Sequence, residues 1–148
     1  MFLKFLLLVM LSVAGGARAT ESVDADTLMP QLIWEKRVLL VFAPDAEDDR
    51  MQRQNAVLAA VDAGLIERHM TVIRALGSNI VSVDGDSRAQ PADSFYRRFG
   101  VDAGEFRVIL VGKDGTVKLD RSAVVSDDEL FQLIDSMPMR RYEMSQDG

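Results

Sequence analysis

The sequence predicts an α/β fold of three layers, in which helices cover both faces of a mixed sheet. One observation is a continuous apolar run at 38–43, which is typical of a strand covered on both faces. A second is that the segments after it alternate between helical and strand patterns, which favours parallel pairing through crossovers. The third is an Asp-Gly turn between 107–111 and 116–120, which predicts a hairpin and an antiparallel edge.

The first residues predict a signal peptide. Lys4 precedes an apolar stretch at 5–14, and a small-x-small pattern ends at Ala19. The alternative is an uncleaved membrane anchor, but a membrane span needs about 20 apolar residues. We therefore expect 1–19 to be removed between Ala19 and Thr20, leaving no membrane span and a periplasmic or secreted protein.

Composition excludes several classes of function. The chain has 148 residues, a net charge of −6 and no cysteine. A negative protein is repelled by nucleic acids and anionic lipids, so no nucleic-acid partner is expected. Without a thiolate it has no thiol-dependent redox activity, no disulfide and no lipid-modified cysteine. The length fits a single domain at 34–144, with a preceding segment at 20–33 and a tail at 145–148.

Two helices are predicted on either side of the first strand. Thr27 is expected to cap a short helix, and Trp34 is expected to pack that helix onto the sheet. A longer helix is predicted over 46–63, with Asp45 as its N-cap. Gln54 lies on the apolar stripe of that helix, so its side chain is expected to face the sheet.

The second half of the chain predicts shorter elements. A strand is expected at 70–76, followed by 80–83 as either a short edge strand or an irregular segment. The polar segment 84–92 is predicted to be a loop, and 95–99 a short helix. After the hairpin, a capping box beginning at Ser126 starts the last predicted helix, which Pro138 is expected to end.

This order, ending in a β-hairpin and a helix, is the arrangement of thioredoxin-like folds. Within this arrangement, several short segments together resemble one family. The segments are the strand end 39–44, Gln54, 64–68, 98–101, 112–118 and 134–140. The chain is similar there to the DUF4174 family of bacterial envelope proteins, over about 34–144. The resemblance implies a fold distantly akin to peroxiredoxins and an exported location. It also implies a related domain in secreted animal matrix proteins, but no established reaction and no agreed catalytic residues.

The 44–50 loop is the first candidate site, because thioredoxin-like folds place their redox thiols at this junction. Here Asp45, Glu47, Asp48 and Asp49 occupy the helix start. These acids complement the helix dipole and would repel an anionic ligand. Capping and a solvated surface are the main interpretation, and partner recognition is an alternative. A Ca²⁺ site is a weaker alternative, because the spacing is not that of an EF-hand loop.

Two further polar residues extend this candidate surface. A buried Gln54 must be hydrogen-bonded, either to nearby backbone or as a polar group lining a pocket under the loop. Arg107 falls close to where thioredoxins place a cis-proline. It is expected either to be an exposed strand-end residue, or to pair with Asp45 or Asp48 or bind a ligand carboxylate. His69 is expected at a strand edge, without metal-ligand partners.

The leading hypothesis is a non-catalytic binding or scaffold module of the cell envelope, with an envelope protein as the possible partner. No catalytic residue, cofactor or metal is expected, and the sequence indicates no oligomeric state. The candidate binding surface consists of Asp45, Asp48, Arg50, Gln54 and Arg107. One alternative is a non-thiol enzyme that uses these acidic, Arg and Gln side chains. Another is a structural or stress-related envelope protein without a specific ligand.

Overall fold

A computed structural model describes residues 22–148, so the predicted signal peptide and its cleavage between Ala19 and Thr20 lie outside the described residues. The helices are α1 (Ala25–Leu32), α2 (Asp49–Ala60), α3 (Asp62–Glu67), α4 (Asp93–Phe99), α5 (Asp127–Asp135) and α6 (Pro138–Gln146). The strands are β1 (Arg37–Ala43), β2 (Met70–Leu76), β3 (Ile80–Val83), β4 (Asp86–Ala89), β5 (Arg107–Val111) and β6 (Val117–Arg121).

The strands form one mixed sheet in the order β4-β3-β2-β1-β5-β6. β1 pairs in parallel with β2 and antiparallel with β5, while the remaining pairs are antiparallel. Because β1 lies inside the sheet, all seven of its residues are buried, as its unbroken apolar run predicts. The predicted mixed α/β sheet with a late hairpin is therefore confirmed.

Two apolar clusters separate the helices into layers. Leu39 and Val41 lie in the cluster that α2, α3 and α5 share, whereas Leu40 and Phe42 lie in the cluster that α1 and α4 share. This alternation follows from the two-residue period of a strand. Among the described residues, no helix is long and apolar enough to cross a membrane.

The prediction of one helix over 46–63 is wrong in two respects, because the helix starts later and is broken into two. α2 begins only at Asp49, because the side chain of Asp48, not Asp45, accepts hydrogen bonds from the first-turn N–H groups. The helix then breaks at Val61, whose φ of −127° is not helical, and α3 follows. α1 likewise starts before Thr27, at Ala25, because the carboxylate of Asp24 caps it.

Three other predictions need correction. The segment 84–92 is not a continuous loop, because positive φ angles at Asp84 and Gly85 make the turn of a β3–β4 hairpin. Pro138 does not only end a helix: it begins α6, at a position where its missing N–H costs nothing. Trp34 does not pack α1 onto the sheet, since it is 62% exposed in a left-handed conformation.

Candidate functional site

The 44–50 loop lies where β1 and β2 end at the same edge of the sheet. The N–H of Gly77, just after β2, donates to the carbonyl of Ala43 at 2.8 Å. A Cβ atom at Gly77 would lie 2.9 Å from the carbonyl oxygen of Pro44, and the φ of Gly77 is +55°. Only glycine fits this close approach, which fixes the first part of the loop against the turn between β2 and β3.

Asp48 and Arg50 form a compact pair at the start of α2. The Arg50 guanidinium donates to the Asp48 carboxylate from Nε at 3.1 Å and from Nη2 at 2.8 Å. The same carboxylate accepts from the backbone N–H groups of Arg50 and Met51. The Arg50 side-chain hydrogen bonds, followed by these backbone bonds, lower the pKa of Asp48 to about 2 despite some desolvation. The Arg50 guanidinium also lies 5.2 Å from the ring centroid of Phe106.

Gln54 faces the core one turn further along α2, and it is 1% exposed. Its amide nitrogen donates to the carbonyl of Val125 at 3.0 Å, and its amide oxygen accepts from the N–H of Val125 at 2.8 Å. The buried side chain thus makes the backbone hydrogen bonds that its place on the helical stripe predicts. These bonds connect α2 to the segment that leads into α5.

Arg107 does not pair with either acid of the loop. It donates to Asp120 across the hairpin, from Nε at 2.7 Å and from Nη2 at 2.6 Å, and to Glu105 at 3.3 Å. The hydrogen bond from Arg107 lowers the pKa of Asp120. The structure therefore brings Asp48 and Arg50 together, turns Gln54 inward and places Arg107 in a separate ion pair.

The remaining acids of the loop are exposed. Asp45, Glu47 and Asp49 all face solvent, and the Asp45 carboxylate accepts a hydrogen bond from the N–H of Glu47 at 3.0 Å. Within residues 22–148 no group of three or more His, Asp or Glu side chains is arranged to hold a metal ion. The loop thus presents exposed negative charges, while Asp48 and Gln54 next to them already have hydrogen-bond partners.

A second polar cluster, which the sequence pattern does not predict, lies at the other end of β1. We call it the Glu143 cluster, formed by Arg37, His69, Lys113 and Glu143. The Glu143 carboxylate accepts from Lys113 at 2.6 Å and from Arg37 at 3.1 and 3.3 Å. The Nζ of Lys113 also lies 2.7 Å from Nδ1 of His69. Burial raises the pKa of Glu143, but the bonds from Lys113 and Arg37 outweigh it and leave this pKa lowered.

Arg140 extends the charged contacts of α6 toward α3 and α5. Its guanidinium is buried and donates to Glu67 at 2.7 Å and to Asp135 at 3.2 Å. Arg68 donates to the other oxygen of Asp135 at 2.8 Å and lies 3.8 Å from the ring centroid of Phe131. The last helix is therefore held to the rest of the chain largely through ion pairs.

The sequence contains a signal for the Glu143 cluster, although the pattern alone does not predict which of its charged residues pair. Arg37 is a charged residue at the start of an otherwise apolar strand, and it is 1% exposed. Lys113 lies in a turn motif and is explained there by turn chemistry alone. Glu143 follows Pro138, where the helical pattern was expected to end.

The family model described as "Domain of unknown function (DUF4174)" matches residues 28–143. This chain belongs to the DUF4174 family. It is 28% identical over 137 residues to "Coiled-coil domain-containing protein 80" from Danio rerio, and 30% identical over 124 residues to "Sushi repeat-containing protein SRPX" from Homo sapiens. Each match covers 81% of this chain but only 16% and 27% of those relatives. The chain thus spans about a sixth to a quarter of their length.

The fold of this DUF4174 chain also occurs in a solved structure, that of reduced Plasmodium vivax 2-Cys peroxiredoxin. The TM-score is 0.55 at 17% sequence identity, covering 78% of this chain and 83% of that one. The likeness confirms the predicted thioredoxin-like sandwich. The present chain has no cysteine, so thiol chemistry does not accompany the shared fold here.

Proposed function

We propose that this DUF4174 chain is an exported, non-catalytic module that binds a protein partner of the cell envelope through the 44–50 loop. The observation behind the proposal is that some polar side chains in and next to the loop are held by hydrogen bonds, while others are free to face solvent. Asp48 and Gln54 hold the loop and helix in place, while Asp45, Glu47 and Asp49 are exposed. A preorganised row of acids suits a partner with a basic surface, because charge complementarity favours encounter and register. The signal-peptide pattern at 1–19 supports export.

The same geometry gives little support to a non-thiol enzyme at this loop. A general acid or base works best with a pKa near the working pH. The pKa of Asp48 is lowered to about 2, so this carboxylate stays ionised at neutral pH. Its oxygens already accept hydrogen bonds from Arg50 and Met51. The arrangement is that of a helix cap with an ion pair.

Site-specific photo-crosslinking in intact cells tests the proposal. A photoreactive residue at the exposed position Ala46 is compared with one at exposed Ser122, beyond the hairpin. We expect Ala46 to trap one defined envelope protein that Ser122 does not trap. Neutralising the neighbours of the probe, with Asp45→Asn and Glu47→Gln, should reduce this product several-fold at low salt, where surface charges are least screened.

Two results would contradict a recognition role for the loop. One is the same background from both probes. The other is a product at Ala46 that is indifferent to the two neutral substitutions and to salt. Either result would favour the structural or stress-related alternative, in which the acids only cap and solubilise the chain.

A further inference from the structure

A small cavity lies beside the Glu143 cluster, at the end of the sheet opposite to the 44–50 loop. It lies between the hairpin turn at 112–116 and the turn that joins α5 to α6, and its volume is about 180 Å³. Its lining divides into a charged part from the start of β1 and the hairpin, and an apolar part from α5 and α6. Such a division is typical of sites for small amphiphilic ligands.

Three cations line the charged part, namely Arg37, Lys113 and Lys118. Arg37 and Lys113 are buried and share Glu143, whereas Lys118 pairs with Asp114 at 2.9 Å. Three cations against two carboxylates leave one positive charge in excess. This excess is notable in a chain whose net charge is −6. The cavity therefore favours a monoanion electrostatically.

The start of α6 lines the cavity and lacks a hydrogen-bond acceptor from a side chain. The helix begins here with Met137 at its N-cap, and no side chain caps it. An uncapped helix N-terminus attracts negative charge. The start of α6 therefore adds to the attraction that the excess positive charge exerts on an anion.

The apolar part of the cavity selects against an inorganic anion. Leu133, Met137, Pro138 and Met139 line it. Methionine side chains adapt to irregular shapes and suit a flexible apolar ligand. Cavities that hold drug-sized ligands measure about 300–1,000 Å³, so this smaller volume fits only a short molecule.

We propose that this cavity binds a short-chain organic monocarboxylate. Its carboxylate lies against Lys113, Lys118 and the start of α6, and its hydrocarbon chain lies between Met137 and Met139. The site is separate from the 44–50 loop, so it does not depend on the proposed function and can fail or succeed without it.

Methyl NMR of the chain purified after export, labelled with ¹³C-methyl methionine, tests this assignment with hexanoate as the probe. We expect saturable shifts of the Met137 and Met139 methyl signals. The signals of Met29 and Met51 should stay in place, because these residues are buried in the two core clusters. Hexanamide, the uncharged analogue, should bind at least about tenfold more weakly, since it lacks the charge-assisted hydrogen bonds.

Variants separate the cavity from non-specific binding. Lys118→Gln removes one lining cation without touching the buried cluster and should weaken hexanoate binding about fivefold, the upper effect of one partly exposed charge. Leu133→Trp should abolish binding by filling the apolar part. Arg97→Gln, on an exposed residue of α4, should leave the affinity unchanged.

Several outcomes would overturn the proposal. The first is an absence of saturable shifts with hexanoate. A second is equal binding of hexanoate and hexanamide, which would exclude a carboxylate site. A third is that inorganic phosphate reproduces the shifts as strongly, which would exclude the hydrocarbon part. If Leu133→Trp does not fold, Lys118→Gln still decides the point, because an unchanged affinity in that variant contradicts the site.

Discussion

The two ends of β1 hold their charges in different ways. At the end near the 44–50 loop, Asp48 pairs with Arg50, two residues away, and the Arg50 side chain is 42% exposed. At the other end, Arg37 pairs with Glu143, which is 106 residues away, and the Arg37 side chain is 1% exposed. One end is a local pair in solvent, and the other is a long-range pair inside the protein.

This difference determines what each pair can do for the fold. A local capping pair can form as soon as its helix forms, so it does little to fix the tertiary structure. The Arg37–Glu143 pair can form only when α6 has docked, and buried charges become costly when a partner is lost. We therefore expect substitutions in the Glu143 cluster to affect global stability, and those in the loop to affect local properties.

The largest effect is expected from Glu143→Ala. It would leave Arg37 and Lys113 buried without their shared carboxylate, at a cost of about 3 kcal/mol in the free energy of unfolding. Urea unfolding at pH 7 followed by circular dichroism measures this loss.

Glu129→Ala provides the matched control. Glu129 pairs with Arg121 at 3.2 Å, but both side chains are about half exposed, so its loss should cost under about 1 kcal/mol. Equal losses in the two variants would show that α6 is not held by the buried ion pairs, and would remove the contrast between the two ends of β1.

A smaller loss is expected from Gln54→Ala, at the loop end of the molecule. The substitution leaves the N–H and the carbonyl of Val125 buried without partners, which should cost about 2 kcal/mol. Gln52→Ala on the exposed side of the same helix should be close to neutral. Similar unfolding midpoints for the two variants would mean that water replaces the Gln54 amide, and that the loop is not tied to the segment before α5.

Much of the fold could be predicted because its determinants are local in sequence. The apolar run of β1, the hairpin turn at 112–115 and the Ser126 cap each lie within a few residues. The inward direction of Gln54 follows from helical periodicity in the same way. Errors in helix starts are also local: Asp24 and Asp48 compete with Thr27 and Asp45 for the cap, and residue type alone does not decide between neighbouring acids and hydroxyls.

The Glu143 cluster could not be predicted from the sequence, and the reason differs from that for the helix starts. Arg37, Lys113 and Glu143 belong to three segments far apart in the chain, and only the sheet order and the docking of α6 bring them together. α6 itself is weakly amphipathic and attaches through charges, so the apolar periodicity that indicates a packed helix is faint there. A buried arginine also contradicts the usual expectation for charged residues.

The smallest effect concerns Asp48, and it is expected in a pKa rather than in stability at neutral pH. Because the folded-state pKa of Asp48 is about 2, below its ordinary value, the capping pair stabilises the fold fully above about pH 4 and loses this contribution as the pH falls toward 2. Arg50→Met should raise this pKa but leave it below the ordinary value, since the backbone N–H groups still donate. Carboxyl ¹³C NMR titration measures the shift.

Arg53→Met serves as the control, because Arg53 bonds only to a backbone carbonyl among the described contacts. An unmoved pKa in Arg50→Met would assign the lowering to the helix start alone, and the loop end would then hold its carboxylate without any help from a paired side chain.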